Sequence, residues 1–174
     1  ITCFRRALAL KPGLPDAANN LARRLVDDER AAEALPIIDA ALAAQPDHPE
    51  LQYTRGVALL RLDRASEALA ANLRAVELRP DYADAHWNRA LCELRLGDFA
   101  KGWPDYEWRW RHQDHETLRY EHIPAWPADC PRQGHLLLWS EQGVGDEVMF
   151  ATLLPAARAL ADRITVTCCP RLVP

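Results

Sequence analysis

Residues 49–82 read PELQYTRGVALLRLDRASEALAANLRAVELRPDY, and the chain repeats this pattern in register on both sides. Small residues and prolines recur at the same place in each unit. Three such columns, each with a spacing of 34 residues, are Ala7, Ala41 and Ala75; Pro12, Pro46 and Pro80; and Ala34, Ala68 and Gly102. A fixed period of this length indicates a solenoid of stacked repeats.

Each unit, counted from Pro15, Pro49 and Ala83 as position 1, divides into two predicted helices. Apolar residues recur every three or four positions in both halves, as expected for helices with one buried face. Breaks between the helices are predicted at residues 28–29, 63 and 97–98. The proline at position 32 ends the second helix, because the residue before a proline is pushed out of the helical conformation. Asp47 and Asp81 are predicted to cap the next first helices.

These columns resemble the tetratricopeptide repeat family, which has small residues at positions 8, 20 and 27 and proline at position 32. The resemblance implies a mainly α-helical fold, a right-handed superhelix of helix pairs over residues 1–112. Arg109 replaces the small residue at position 27, so we predict that the last helix packs against something other than another repeat. The predicted bounds are a half repeat at 1–14 and repeats at 15–48, 49–82 and 83–112.

The segment after residue 102 is rich in aromatic side chains. Trp103, Tyr106 and Trp110 lie on one face of a predicted helix, which favours an interface within the molecule. A nucleic-acid stacking surface would need basic surroundings, but acidic residues outnumber arginines in this segment. His112 and His115 have the spacing of a metal pair without a third ligand, so no metal is predicted. An irregular connector is predicted at 113–131.

Residues 132–174 change to a different pattern. A strand at 135–139, a glycine loop, a helix at 147–161 and a strand at 164–168 predict a βαβ unit with parallel strands. One such unit cannot cover a parallel sheet, which predicts a truncated domain. Its open edge and an uncovered apolar face predict self-association through residues 132–174. That face is predicted to consist of Leu136, Leu138, Ile164 and Val166.

The loop at 141–147, EQGVGDE, is the candidate for chemistry. Gly143 and Gly145 would permit close backbone approach, and the following helix N-terminus could hold an anion or phosphate. The alternative is a tight turn capped by Asp146. Repeats followed by LLLWSEQGVGDEVMFATLLP resemble bacterial repeat proteins with a C-terminal Rossmann-like GT-B glycosyltransferase domain. They are similar to heptosyltransferases and O-linked N-acetylglucosamine transferases. The resemblance implies that Asp146 is a general base in the intact protein and that the donor-binding half is missing here.

The leading functional prediction is a scaffold that binds a protein or peptide in a groove lined by the first helices, as the acceptor-recognition part of a larger protein. Asn20 and Asn88 match an asparagine column of the O-linked N-acetylglucosamine transferases, and an amide can donate to and accept from a peptide backbone. A solvated polar face remains the alternative. The predicted groove residues are Asn20, Arg23, Tyr53, Arg61, Trp87, Asn88 and Arg95.

Composition limits the other classes of function. The chain has 174 residues, a net charge of -4 and 49% apolar residues, which excludes a disordered chain. No basic block predicts nucleic-acid binding, and no apolar run predicts a membrane span. Five cysteines, an odd number, predict reduced thiols and a cytoplasmic location. We expect a fragment without a cofactor. The alternative function is a glycosyltransferase in the intact parent, inactive in this piece.

Overall fold

We describe the fold from a computed structural model, which describes residues 1–11, 13–111, 120, 122–126, 134–140 and 143–172. The chain divides into two compact units, residues 1–119 and 120–174. The first unit is helical in its described part, whereas the second combines strands and helices. Among the described residues, no helix has the length and apolar character needed to cross a bilayer.

The first unit consists of helices that alternate between two layers. We call α2, α4 and α6 the first helices, and α1, α3, α5 and α7 the second helices. Their bounds are α1 Thr2–Leu10, α2 Pro15–Asp27, α3 Ala31–Ala44, α4 Pro49–Arg61, α5 Ala65–Leu78, α6 Ala83–Arg95 and α7 Phe99–Tyr106, followed by a 3₁₀ segment, Glu107–Arg111. Each first helix packs against the second helices before and after it in the chain.

Small residues lie where the two helices of a repeat meet. Ala34 and Ala68 are fully buried, and Gly102 is also buried. A Cβ atom on Gly102 would stand 2.7 Å from the Leu94 side chain and 3.1 Å from its backbone nitrogen. Leucine and isoleucine fill the space between the helices, and the largest fully buried ones are Leu21, Leu25, Ile38, Leu51 and Leu59.

The turns between the two helices of each repeat share one backbone geometry. Glu29, Asp63 and Gly97, all at position 15, have φ angles of 60°, 62° and 84°. The next amide in each case donates to a carbonyl five residues back, which closes the helix C-terminus. These bonds are Arg30 to Leu25 at 2.8 Å, Arg64 to Leu59 at 2.9 Å and Asp98 to Glu93 at 2.9 Å. The predicted breaks are confirmed.

The predicted aspartate caps are wrong. The N-cap of α4 is His48, whose Nδ1 accepts a hydrogen bond from the Leu51 amide at 3.4 Å. The N-cap of α6 is Tyr82, without a side-chain cap. Both helices begin one residue too late for the aspartates to reach the free amides. The Asp47 carboxylate instead accepts a hydrogen bond from Arg74 at 2.6 Å.

The last second helix, α7, is shorter than the sequence predicts. It has 8 residues and continues as a 3₁₀ segment, whereas α3 and α5 have 14 residues each. A proline at position 22 is not the cause, because Pro36 occupies the same position inside α3. Ala41 and Ala75 are buried at position 27. The Arg109 side chain at that position is too large for the same contact, and the chain turns.

The aromatic segment that follows packs within the first unit. The Trp108 ring stacks on His86 with centroids 3.8 Å apart and an angle of 3°. Trp103 and Tyr106 meet edge to face at 5.8 Å, and the Arg109 guanidinium lies 4.1 Å from the Trp110 ring centroid. The stacking of Trp108 on His86 agrees with the predicted intramolecular interface, but Trp103, which the prediction includes, is 54% exposed. The predicted single helical face ends with α7. His112 and His115 lie outside the described residues.

The second unit contains a pair of parallel strands joined through helices. Its elements are β1 His135–Leu138, α8 Val144–Ala151, α9 Leu154–Ala157 and β2 Arg163–Val166, with a 3₁₀ turn Pro170–Leu172. His135 stands opposite Arg163 and Leu138 opposite Val166. Helix α8 begins at Val144 rather than residue 147, and α9 begins at Leu154, directly before Pro155. Most of the predicted connector lies outside the described residues.

The apolar surface of the second unit differs from the prediction. Leu136 is buried at 7% exposure, and Leu138 and Ile164 are half-buried, so among the strand residues predicted to be uncovered only Val166 is exposed. Most of the exposed large apolar side chains of this unit lie on α8 and the turn after it. Those on α8 and this turn are Val144, Val148, Met149, Phe150 and Leu153.

Candidate functional site

The first helices form the inner wall of the helical array. α2 contacts α4, and α4 contacts α6, whereas the second helices make no comparable contacts with one another in the described part of the chain. When the helices of one layer lie closer to one another than those of the other layer, the array curves and the closer layer lies on the concave side. The first helices therefore line its concave side, which is the surface on which the predicted groove residues lie.

Residues of all three repeats influence the pKa of the Tyr53 phenol. Burial raises the pKa of Tyr53, and the negative charge of Asp84 raises it further. The charge of Arg23 and a hydrogen bond with the Asn88 side chain act in the opposite direction, and Asp27 adds a weaker negative contribution. The phenol therefore stays neutral near pH 7. We call these five residues the Tyr53 centre.

A hydrogen bond joins the first two of the first helices across the repeat boundary. The Thr54 hydroxyl donates to the Asn19 side-chain oxygen at 2.6 Å, which links position 6 of the second repeat to position 5 of the first. Tyr53 and Asn88 occupy the same two positions at the next boundary, and the Asn88 side chain lowers the pKa of Tyr53. Asn88 is 9% exposed and engaged within the array, whereas Asn20 is exposed. The two asparagines of the predicted column thus have different environments, and their contact with a ligand stays a prediction.

The three predicted groove arginines have different partners. Arg95 forms an ion pair with Asp63 at 2.8 Å. Arg23 and Arg61 are exposed and form no ion pair with any residue that the structure describes. Their guanidinium groups can therefore bind a carboxylate or a backbone carbonyl of a ligand, for which the planar fork of arginine is suited.

The wall changes character from one repeat to the next. Positions 5 and 9 of the first helices, which include the predicted groove residues Arg23, Tyr53 and Trp87, are polar in the first repeat but aromatic or aliphatic in the others. Trp87 and Tyr53 are half-buried, so part of each side chain remains open to a ligand. The pairs are Asn19 and Arg23 on α2, Tyr53 and Val57 on α4, and Trp87 and Leu91 on α6.

Residues outside the first helices also contribute to the site. Arg79 forms an ion pair with Glu50, and its guanidinium lies 4.8 Å from the centre of the Tyr82 ring. The Tyr82 ring stands 5.1 Å from Tyr53. Sequence reasoning missed Arg79 and Tyr82, because it considered only helix positions. The signal that could have found Tyr82 is an aromatic residue directly before a first helix.

The glycine loop of the second unit has an acidic residue at the start of α8. Asp146 is half-buried in the first turn, and its amide donates to the Gly143 carbonyl at 2.9 Å. Gly145 has open space around it. The Glu147 carboxylate accepts a hydrogen bond from the Cys169 amide at 2.8 Å. Within the described ranges, no three side chains are grouped as a metal site would require.

Comparison with known proteins identifies the family. The tetratricopeptide repeat pattern matches residues 1–49, 19–83 and 73–106. These matches cover more than half of the chain, which therefore belongs to the tetratricopeptide repeat family. The resemblance inferred from the repeated columns is confirmed for this part.

Individual relatives are similar over the repeats. Protein FlbA of Caulobacter vibrioides is 40% identical over 62 residues, which span 34% of this chain and only 10% of FlbA. MamA from Desulfovibrio magneticus RS-1 is 25% identical with a TM-score of 0.56, over 65% of this chain and 66% of that one. The second repeat domain of Spaghetti (RPAP3), solved with the HSP90 peptide SRMEEVD, has a TM-score of 0.53 and 19% identity, over 57% of this chain and 94% of that domain. This last likeness shows the fold alone.

Proposed function

We propose that the first unit is a peptide-binding scaffold whose groove is centred on Tyr53. The observation that carries this proposal is the continuous layer of first helices, in which α2 contacts α4 and α4 contacts α6, with Arg23, Tyr53 and Trp87 partly or fully exposed on it. A structurally similar repeat domain has been solved with a bound peptide. In this proposal the helix pairs form the right-handed superhelix that is typical of the family.

The groove offers two kinds of contact to an extended segment. Trp87 and Tyr53 present partly open aromatic faces, which supply large apolar contact at low entropic cost. Arg23 and Arg61 lie on the same set of first helices and provide charged hydrogen-bond donors. A ligand would therefore combine an apolar anchor with carbonyl or carboxylate groups nearby.

The proposal is tested with peptides selected from a random display library against the intact chain. We expect Trp87→Ala and Arg23→Ala each to weaken binding of a selected peptide by about tenfold or more, because each removes a groove contact. Ser66→Ala, on the exposed side of α5, is the control and should leave affinity unchanged. Titration calorimetry measures affinity, and circular dichroism checks that the variants fold. Equal affinity of all variants would reject the groove.

For the second unit, we propose that it forms the start of a Rossmann-like glycosyltransferase domain in a longer protein, which the repeats serve by recognising the acceptor. The parallel pairing of β1 and β2, with Asp146 in the first turn of the helix that follows β1, supports this proposal. By itself this chain should show no saturable binding of sugar nucleotides in calorimetry. The N-cap of α8 is Gly143 and not Asp146. In a longer protein, Asp146→Asn should therefore lower turnover by about a hundredfold at nearly unchanged melting temperature, because Asn keeps the size of Asp but cannot act as a base.

A further inference from the structure

The outer face of α7 exposes large apolar side chains. Phe99 is 59% exposed, Trp103 is 54% exposed, and Leu96 in the preceding turn is 47% exposed. Phe99 and Trp103 are four residues apart, so they lie on the same side of the helix. We call these three residues the α7 face.

The same positions are covered in the earlier repeats. Position 17 holds Ala31 and Ala65, which are 5% and 9% exposed, where α7 has Phe99. Position 21 holds Leu35 and Leu69, which pack against buried clusters, where α7 has Trp103. The clusters that include Leu35 and Leu69 contain residues of the next first helix, because α4 packs on α3 and α6 packs on α5.

We propose that the α7 face is a docking surface for an amphipathic helix of a partner protein, which takes the place that a further first helix would occupy. The surface continues the interface that joins each repeat to the next, so the repeats themselves show twice what kind of element covers it. Another copy of this chain is a poorer candidate, because α2, α4 and α6 are each already packed between two second helices.

The composition of the α7 face indicates what the partner helix carries. Phe99 and Trp103 are larger than the alanine and leucine at the same positions of the earlier repeats. The docked helix therefore needs small residues opposite them. The first helices of this chain carry such a residue on the side of the preceding second helix: Ala58 of α4 belongs to the same buried cluster as Ala31 and Ala34 of α3. An ion pair between Lys101 and Asp98 at 2.7 Å lies beside the aromatic residues, which gives an apolar centre and a polar rim, the usual arrangement of a specific interface.

The test uses a dye-labelled synthetic peptide of residues 49–61, which is the α4 sequence. A covalent staple between residues 52 and 56, on the side where Gly56 faces α5 in the chain, keeps the peptide helical. We expect saturable binding to the full chain by fluorescence anisotropy, and about tenfold weaker binding to Phe99→Ala and to Trp103→Ala, because truncated aromatic anchors typically lose this much. Leu73→Ala is the matched control, since Leu73 is 40% exposed on α5, outside the α7 face.

Three outcomes would overturn the proposal. The first is no saturable binding of the peptide up to about 1 mM, the weak limit of specific association. The second is equal binding by the wild-type chain and both alanine variants. The third is a dimer in sedimentation that Phe99→Ala and Trp103→Ala abolish, since this would make a second copy the occupant. Circular dichroism confirms that the variants keep their helices. Failure of the library peptides to bind the groove would contradict the proposed function of the first unit, but it would not affect the proposal for the α7 face.

Discussion

At the scale of single residues, the turns of the first two repeats hold side chains in a backbone conformation that favours glycine. Glu29 has φ of 60°, and Gly97 occupies the equivalent place with φ of 84°. A left-handed conformation costs a residue with a Cβ atom about 1 kcal/mol relative to glycine. We therefore expect Glu29→Gly to raise the free energy of unfolding by about this amount in urea denaturation.

The matched control for this substitution is Gly97→Ala. A Cβ atom on Gly97 would meet nothing within 4 Å, so any loss of stability in this variant reports the backbone conformation alone. We expect a loss similar in size to the gain in Glu29→Gly. If both substitutions leave the free energy of unfolding unchanged, the left-handed turns are not a source of strain.

A second residue-scale prediction concerns the buried pair Gly56 and Asn72. A Cβ atom on Gly56 would stand 2.5 Å from the Asn72 amide nitrogen, which itself donates to the Ala68 carbonyl at 2.9 Å. Gly56→Ala should cost about 1–3 kcal/mol of stability through overpacking. In an Asn72→Ala background the cost should be much smaller, because the obstacle is gone. Strict additivity in thermal melts would contradict this explanation.

At the scale of elements, the packing of α6 against α7 should make stability depend on pH through Glu93. Its side chain is 6% exposed, and burial together with the negative charge of Asp105 raises the pKa of this carboxyl above its usual 4.5. The folded state therefore binds a proton more readily than the unfolded state. The resulting contribution to stability is present below pH 4.5 and is lost as the pH rises through the pKa of the folded state.

Glu93→Gln removes this titration. We expect the variant and the wild-type chain to melt at similar temperatures near pH 4, and the variant to melt at a higher temperature near pH 8. Ser66→Ala is the control, because it is an exposed substitution that removes no ionisable group. Parallel melting curves of Glu93→Gln and wild-type across this range would show that Glu93 is not protonated more readily on folding.

The helix pairs could be predicted from sequence, whereas details of their ends could not. Spacing of apolar and small residues is local information, and it indicated the helices and the breaks at position 15. The cap of α4 depends on where the His48 ring settles. The early end of α7 depends on Arg109 and on the stacking of Trp108 on His86. These two aromatic residues belong to different elements, so a local sequence pattern does not predict that they meet. Likewise, the burial of Asn88 against Tyr53 could not be inferred from a column of asparagines.

At the scale of the whole molecule, the two units differ in how well they cover their apolar side chains. In the second unit, Val148 is 56% exposed and Phe150 is 53% exposed. Exposed apolar patches of this kind promote association. We expect the chain to self-associate through residues 132–174, with a sedimentation coefficient that rises with concentration.

Replacing Val148 and Phe150 together by serine should abolish this concentration dependence. Leu10→Ser is the control, because Leu10 is 82% exposed on α1 of the first unit. A wild-type chain that sediments as a monomer at all concentrations would contradict the prediction. The same holds if Leu10→Ser has the same effect as the double variant.

The pairing of position 5 of one repeat with position 6 of the next, seen in the hydrogen bond between Asn19 and Thr54, has a consequence for how such an array can evolve. Each pair spans a boundary, so every gene duplication or deletion of a unit creates a new pair at its junction. Duplication of residues 49–82 would set Tyr53 against a second Thr54, and loss of the same unit would set Asn19 against Asn88. Recombination between repeats is therefore limited by which side chains can pair across the new junction, so the repeats cannot be reordered freely.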